Sequence, residues 1–581
     1  MGMEYLILGI IVVAVVVALS AISDRLGIAP PLILMLVGVG ISFLPFVQSI
    51  VIQPEWILEG VLPPLLYATA IAMPTVDLRR DFSAIGGLSV ILVVISAVLL
   101  GLVLHWLIPD ISLPMGIALG AILSPTDAAA TTIVKRLGVP GRVRIILQGE
   151  SLLNDATSLV ILRSAVAAIA VSVSFWHVIG SFLWAAAVAA IIGIIVGWAG
   201  VRIRQLIHDS AAATAISILI PFVAYFPTEL CHASGFVAVV AAGLTAAQLG
   251  PTHLEARQRV SEQMNWHTIE FLLEGAVFLG MGLELYGLMV DLHRTHEKLW
   301  LAFAMAGLAI VMTLVIRWVY LDLLLHGMSD KANRQAERTE KLRRLRDSVR
   351  PASTPDQPES DPSASTPADK PKLSFREAFR HNRNQALRKR GKQLRTRMNQ
   401  ADPATRARFD RRMRQLRARF QRYLADVDYL IHQPLGIKEG TLLTWAGMRG
   451  VVTLAAAQTL PQNIPHRSLL IVIAFLVAAG SLVLQGGTLP WLVKVLGLAG
   501  QDGIPEGEWD TLQEALDKAA DEGKWDDLPP EQVPLAKVRA KRQALLDLRS
   551  TGTYSSHCLS LAMTRLDAQE ISLQAALSAE E

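Results

Sequence analysis

Thirteen stretches of this chain are apolar for long enough to cross a lipid bilayer, and no other feature limits its fold so severely. They run roughly over residues 5–21, 28–47, 56–73, 82–108, 113–133, 143–173, 175–201, 211–226, 230–249, 269–290, 299–325, 440–460 and 469–496. A hydrocarbon core of ~30 Å needs ~20 apolar residues as helix. Inside lipid every backbone N–H and C=O must be paired within the protein, so spans are helices or strands of a closed barrel. Barrel strands would be ~10 residues long and alternate in hydrophobicity, whereas these runs are longer and uniformly apolar. The eighth is short and reads as a partial span. The expected fold is an all-α polytopic membrane protein of about thirteen transmembrane helices.

Composition agrees. Of 581 residues, 52% are hydrophobic and only 18% charged, where a soluble chain runs nearer a quarter charged. Two cysteines, Cys231 and Cys558, exclude a disulfide scaffold and give no metal-site spacing. No basic segment precedes the first apolar run and no small-residue cleavage site follows it, so it is expected to be a retained span.

The charge is unevenly spread. Residues 331–422 carry 27 Lys and Arg against 10 Asp and Glu, and residues from 501 onward carry 16 acidic against 8 basic. The expected organisation is spans one to eleven over 1–326, a basic insert over 327–439, spans twelve and thirteen over 440–498, and an acidic tail over 499–581. Odd-to-even connections hold eleven basic residues, among them Arg79, Arg80, Arg142, Arg144, Arg257 and Arg259. Even-to-odd connections hold three, Arg294, Lys298 and Arg467. Basic residues concentrate in cytoplasmic loops, which puts the N-terminus outside and the insert and C-terminus inside. Within the insert, 351–372 is rich in Pro, Ser and Asp and reads as a flexible linker. Residues 374–431 read as an Arg-rich amphipathic arm, either solvated, packed on the acidic tail, or set against anionic lipid. No recognition motif or aromatic platform supports nucleic-acid binding.

Ionisable residues inside a membrane are costly and mark pathways or pairs. The candidates are Asp127, Glu150, Asp155, Arg163, Glu274, Arg317, Asp322 and Arg449. In the fifth span, Ser124-Pro125-Thr126-Asp127 interrupts the helix, because proline removes a donor and frees a carbonyl one turn back. In the sixth, Glu150, Ser151, Asn154 and Asp155 fall on one face at 100° per residue. Two carboxylates there suit a small hard cation. In the twelfth, Gly447-Met448-Arg449-Gly450 weakens the helix around a buried arginine; Glu150 and Glu274 are its two candidate partners. Spans 1–6 and 8–13 can be read as two inverted repeats with matching breaks, the pattern of transporters whose broken helices meet at the midplane. His232 reads as a buried histidine of the ninth span, with proton relay the alternative.

The run from Gly149 to Ala156, Gly-Glu-Ser-Leu-Leu-Asn-Asp-Ala, resembles the sixth-span signature of the sodium/proton exchangers of the cation:proton antiporter-1 family. Segments in matching order are Leu62-Pro63-Pro64, Ser124-Pro125-Thr126-Asp127, Ser234-Gly235-Phe236, Glu274 with Val277-Phe278, and Gly447-Met448-Arg449-Gly450. The resemblance implies two inverted repeats with crossed, interrupted helices and a homodimer in a bacterial cytoplasmic membrane. It implies Asp155 as carrier of the exchanged ion. It further implies Thr126, Ser151 and Glu150 as ligands of Na⁺ with Asp155, and Asp127 beside them. Asn154 and Arg449 are implied as structural partners, and Arg317 and Glu274 are grouped with these. The Asn154-Asp155 pair goes with electroneutral one-for-one exchange of a monovalent cation for H⁺, with no cofactor. Na⁺ is the first expectation; a K⁺/H⁺ antiporter of the same fold is the alternative. A channel would need a repeated filter segment, and an intramembrane aspartyl protease a Gly-x-Gly-Asp context; neither occurs.

Overall fold

The computed structural model describes residues 2–26, 28–44, 53–108, 110–170, 175–349, 433–462, 464–523, 525–526 and 528–580, with a few positions between 412 and 429. They form two compact units, Met1–His326 with Leu435–Ser550 and Tyr554–Glu581, and Gly327–Pro434 with Thr551–Thr553. The linker and most of the arginine-rich arm of the insert lie outside the described residues.

Helices account for the apolar runs. They are α1 (Gly2–Leu26), α2 (Pro30–Ser42), α3 (Leu62–Ile71), α4 (Leu92–Leu107), α5 (Leu113–Leu123), α6 (Ala129–Arg136), α7 (Gly141–Ala170), α8 (Phe175–Gln205), α9 (Ser210–Leu230), α10 (Gly235–His253), α11 (Ala256–Leu283), α12 (Leu285–Arg294) and α13 (Leu299–Val349). After the insert come α14 (Ile437–Trp445), α15 (Val451–Gln458), α16 (Arg467–Ser481) and α17 (Gly487–Leu496). Among the described residues no strand forms. Among the described residues, eight helical stretches are long and apolar enough to cross a membrane, and shorter apolar helices accompany them. The fifth and twelfth runs each divide into two half-helices, α5–α6 and α14–α15.

The starts of these helices are written locally. The Ser112 hydroxyl accepts from Met115 N at 3.4 Å, Asp209 accepts from Ala212 N at 2.9 Å, and Glu255 with Gln258 forms a capping box at the head of α11. Each satisfies donors that a helix start leaves bare.

Three expectations need correction. The eighth run is no partial span: α9 covers 21 residues, because Pro221 and Pro227 are absorbed within it. The tenth begins at Ala256, not 269, because its polar first turns bury one face, with Gln258, Glu262 and Trp266 inside. There Glu262 pairs with Arg204 of α8 at 2.6 Å and accepts from Ser217 of α9 at 2.7 Å. His232 lies in no helix. It occupies an exposed turn between α9 and α10 with φ +55°, since the chain restarts only at Ser234-Gly235, where the Glu229 carboxylate accepts Gly235 N at 2.8 Å.

The tail forms three helices, α18 (Glu508–Asp521), α19 (Val533–Thr551) and α20 (Ser556–Glu580), around a small core of Leu512, Leu516, Leu545, Cys558, Leu559 and Leu566. It rests on the membrane body. Gly500 and Asp502 N–H groups reach the Leu137 and Gly138 carbonyls at 3.0 Å each. Asp502 pairs with Arg144 at 2.5 Å, Asp567 with Arg259, and Arg549 donates to Thr75 Oγ1 at 3.2 Å. All these body residues lie in odd-to-even connections or at their edges, so the connections richest in Lys and Arg share one face of the molecule. Asp502 and Asp567 of the acidic tail thus pair with the membrane body's own loops, while Asp517 and Glu570 pair with Lys541, Arg539 and Arg542 of the tail itself.

Candidate functional site

Two chain interruptions meet at the centre of the body. Pro125 ends α5, and residues 124–128 run on without helix until Ala129. Residues 447–450 are likewise non-helical between α14 and α15. The two cross, with Asp127 N donating to Met448 O at 2.8 Å. Gly450 makes the crossing possible, because a Cβ there would overlap the Asp127 carboxylate.

The two broken helices expose four backbone ends, and charged side chains stand at each. The carbonyl of Leu123, last residue of α5, accepts from Arg449 Nε at 3.0 Å. The carbonyl of Leu443, in the last turn of α14, accepts from Arg317 Nε at 2.9 Å. Bare carbonyls at a helix C-terminus carry partial negative charge, and a cation there is favourable. Two arginines thus close two half-helices. At the opposite pole, Asp127 Oδ1 accepts Ala129 N at 3.3 Å, at the head of α6, while its Oδ2 faces Gly450 at the head of α15. A carboxylate sits where two positive helix ends converge.

Helix α7 passes beside the crossing and presents its polar face to it. Asn154 Nδ2 donates to Thr126 Oγ1 at 2.6 Å and lies 3.4 Å from Thr126 O, and Thr126 Oγ1 donates to Glu150 Oε1 at 3.1 Å. The 100° register therefore brings Glu150, Asn154 and Asp155 to the break in the fifth run. Ser151 is buried, with its hydroxyl 3.5 Å from Gln148 O of its own helix. Among the described residues, no donor reaches the Asp155 carboxylate, which is only partly buried. Asp127 lies within electrostatic reach of both Asp155 and Glu274. Thr126, Asp127, Glu150, Asn154, Asp155, Glu274, Arg317 and Arg449 are all gathered here.

The partners of the charges differ from expectation. Arg449 takes neither Glu150 nor Glu274; its guanidinium donates to the carbonyls of Leu123 and Gly447, and its backbone N to Ser481 Oγ at 2.9 Å. Glu150 is claimed by Arg317, whose Nη2 donates to Oε2 at 2.8 Å and whose Nη1 donates to Oε1. Both side chains are buried, at 1% and 2% exposure. Gly447 leaves the room: a Cβ there would come within 2.7 Å of Arg317 Nε. Arg317 engages both Glu150 oxygens, so this carboxylate braces the crossing. Arg163 stands apart, paired with Glu229 at 2.6 Å, and Asp322 is exposed beside His326 at 3.5 Å.

The sequence reading missed Ser481, which anchors the unwound stretch, and the buried pair Asp81–Arg142 at 2.8 Å, which ties the start of α7 to the fourth run. A hydroxyl in an apolar run is too common to have singled out Ser481. Among the described residues, no group of three or more His, Cys, Asp and Glu converges as a metal site.

Residues 11–337 match the family model described as sodium/hydrogen exchanger, transmembrane. An Escherichia coli protein named as an uncharacterized Na⁺/H⁺ exchanger, YjcE, is 32% identical over 330 residues, covering 54% of this chain and 60% of that protein. A sodium, potassium, lithium and rubidium/H⁺ antiporter of Bacillus pumilus is 32% identical over 290 residues, covering 48% of this chain and 43% of that protein. The chain thus spans about half of the length of these curated relatives. Among solved structures, the sodium proton antiporter MjNhaP1 of Methanocaldococcus jannaschii at pH 8 has the same fold, with a TM-score of 0.55 at 15% identity, covering 85% of this chain and 99% of that one. The matched region exceeds half of the chain and holds the interrupted fifth run, α7 and Arg317, and on this ground the protein belongs to the sodium/hydrogen exchanger family.

Proposed function

We propose that the protein is a secondary antiporter that exchanges Na⁺ for H⁺ one for one at Asp155, by alternating access. The observation that carries this reading is the crossing of two interrupted helices, Asp127 N to Met448 O at 2.8 Å, with the undonated carboxylate of Asp155 beside it. Half-helix ends at the middle of a membrane fold are where ions bind in transporters. Asp155 holds either a proton or a cation, and this competition couples the two gradients. Ser151 and the carbonyl of Thr126 complete the cation's oxygen shell, with Asp127 adding negative potential. Glu150, held by Arg317, borders that shell. Asn154, Arg317, Arg449 and the Glu150 brace hold its frame, and Glu274 flanks it. Every half-cycle moves one positive charge on one carboxylate, so membrane voltage does not drive exchange.

The reading includes a homodimer in a bacterial cytoplasmic membrane, with the N-terminus outside and the tail inside, and no cofactor. Exchange in proteoliposomes tests it. Purified protein should acidify or alkalinise the lumen when a Na⁺ gradient is imposed, and Asp155→Asn should abolish this while the protein still elutes as a folded species. Retained exchange in Asp155→Asn would overturn the assignment.

A further inference from the structure

The last apolar run is helical throughout, but its middle turn, Leu482–Gly486, is wound as a π-helix between α16 and α17. Single π turns inside α-helices recur at functional sites. This one carries Gln485, whose side chain is wholly buried, with neither Oε1 nor Nε2 bonded to any described group. A buried amide with no partner costs about 1–3 kcal/mol for each group left bare, so an orphan at this depth calls for an explanation.

Its level in the membrane follows from its neighbours. One turn before it, Ser481 Oγ accepts Arg449 N at 2.9 Å. One turn after it, Thr488 Oγ1 accepts from Trp445 Nε1 at 2.8 Å. Directly beside it, Gly486 faces Met448, with 3.5 Å between the site of a Cβ and Met448 Sδ. Residues three to four apart share a helix face. Gln485 therefore lies at the height of residues 446–448, the unwound stretch whose Met448 carbonyl receives Asp127 N. Thr453 Oγ1, Asp127 Oδ2 and Asn154 Oδ1 are also buried and unbonded, all on elements that meet at this crossing.

We infer that Gln485 is a positioning residue for the transport site. Its amide engages the unwound 446–448 backbone through one bridging water, and so sets how Met448 O meets Asp127. The inference rests on the proposed antiport at Asp155 and extends it to a helix that contributes no charge.

The test compares wild type with Gln485→Met, which keeps the volume and removes the amide, and Gln485→Asn, which keeps the amide and draws it back. Full-length protein in proteoliposomes gives Vmax and the apparent KM for Na⁺ across pH. Thermal unfolding and hydrogen exchange of the 443–453 peptide are read on the same samples. Gln485→Met should remain folded and lose no more than about 1 kcal/mol, since it gives up one hydrogen bond while keeping the buried volume. Its apparent KM should rise roughly fivefold, the worth of one neutral hydrogen bond. The 443–453 amides should exchange faster, and Gln485→Asn should fall between. A folded Gln485→Met with wild-type KM, pH profile and exchange protection would overturn the inference. If Gln485→Met fails to fold, a wild-type KM and exchange pattern in Gln485→Asn overturns it equally. Wild-type vesicles without exchange would instead sink the antiport reading itself, so the two failures are distinct.

Discussion

Removing Arg317 should damage the fold far more than removing a surface charge, and the structure says by how much. Both partners of the Glu150–Arg317 pair are buried, at 1% and 2% exposure. Arg317→Met leaves the Glu150 carboxylate with only the Thr126 hydroxyl at 3.1 Å and strips Leu443 O of its donor. Breaking a buried ion pair costs about 3–5 kcal/mol, because the remaining charge keeps its desolvation penalty. Glu150→Gln alone strands the guanidinium and should cost a similar amount. Replacing both together removes the stranded charge, so the double variant Glu150→Gln/Arg317→Met should recover most of the loss. What remains is Leu443 O, worth about 1–3 kcal/mol for an unmade bond. Unfolding of the purified protein in mixed micelles, followed by tryptophan fluorescence, measures all four corners of the cycle. A coupling above about 2 kcal/mol is expected. Single variants that each cost under about 1 kcal/mol, or whose effects simply add, would refute the claim that this pair braces the crossing. The same variants separate brace from ligand: a cation ligand at Glu150 would show as a raised KM for Na⁺ with little loss of stability.

Other outcomes follow from particular contacts. Gly450→Ala should cost about 1–3 kcal/mol by overpacking and suppress exchange, because its methyl group would displace the Asp127 carboxylate; wild-type exchange rates in this variant would contradict the crossing. The two cysteines report topology. Cys231 is exposed in the turn after α9 and Cys558 is buried in the tail, where burial, with Glu508 adding to it, pushes its thiol up to about 11. At pH 7.5 Cys558 stays protonated and unreactive, and becomes reactive only as pH climbs toward that value. A membrane-impermeant maleimide applied to intact cells should therefore label Cys231 alone, and loss of labelling in Cys231→Ser checks the site; no labelling of wild type would place that turn inside. Asp567→Asn should release α20 from Arg259 and raise hydrogen exchange in 556–580, at a cost of about 1.5–3 kcal/mol for a bond to a charged group; unchanged exchange would mean the pair does not hold the tail. Exchange under a valinomycin clamp should not vary with voltage, and a steep dependence would refute one-for-one stoichiometry.

The positions of the helices were legible because lipid permits little else: a run of apolar residues must close its own hydrogen bonds, and Pro125 or Gly447 and Gly450 mark where it does not. The face of α7 was legible for a similar reason, since 100° per residue puts Glu150, Asn154 and Asp155 together before any partner is known. The arginines were not. Arg449 is held by the carbonyls of Leu123 and Gly447, and backbone groups leave no trace in side-chain pattern. Arg317 is separated from Glu150 by 167 positions, so only the fold could select it over Arg449. The head of α11 was misread for the opposite reason. Arg204 and Glu262 look like solvated loop charges in sequence, but they neutralise each other at 2.6 Å and let a polar first turn bury itself. His232 misled because a histidine amid apolar neighbours resembles a core residue, while the helix restart is written two residues later, at Ser234.

Counting protons against cations reaches the carboxylate itself. Titration of Na⁺ into the purified protein by calorimetry, in buffers of different ionisation enthalpy, gives the number of protons released for each ion bound. Measured well below the carboxyl's midpoint pH, a shared site at residue 155 predicts release approaching about one proton per Na⁺, falling to roughly half at the midpoint, and neither binding nor release in Asp155→Asn. Na⁺ binding that releases no proton in wild type, or release that persists in Asp155→Asn, would show that the two ions do not compete for that side chain.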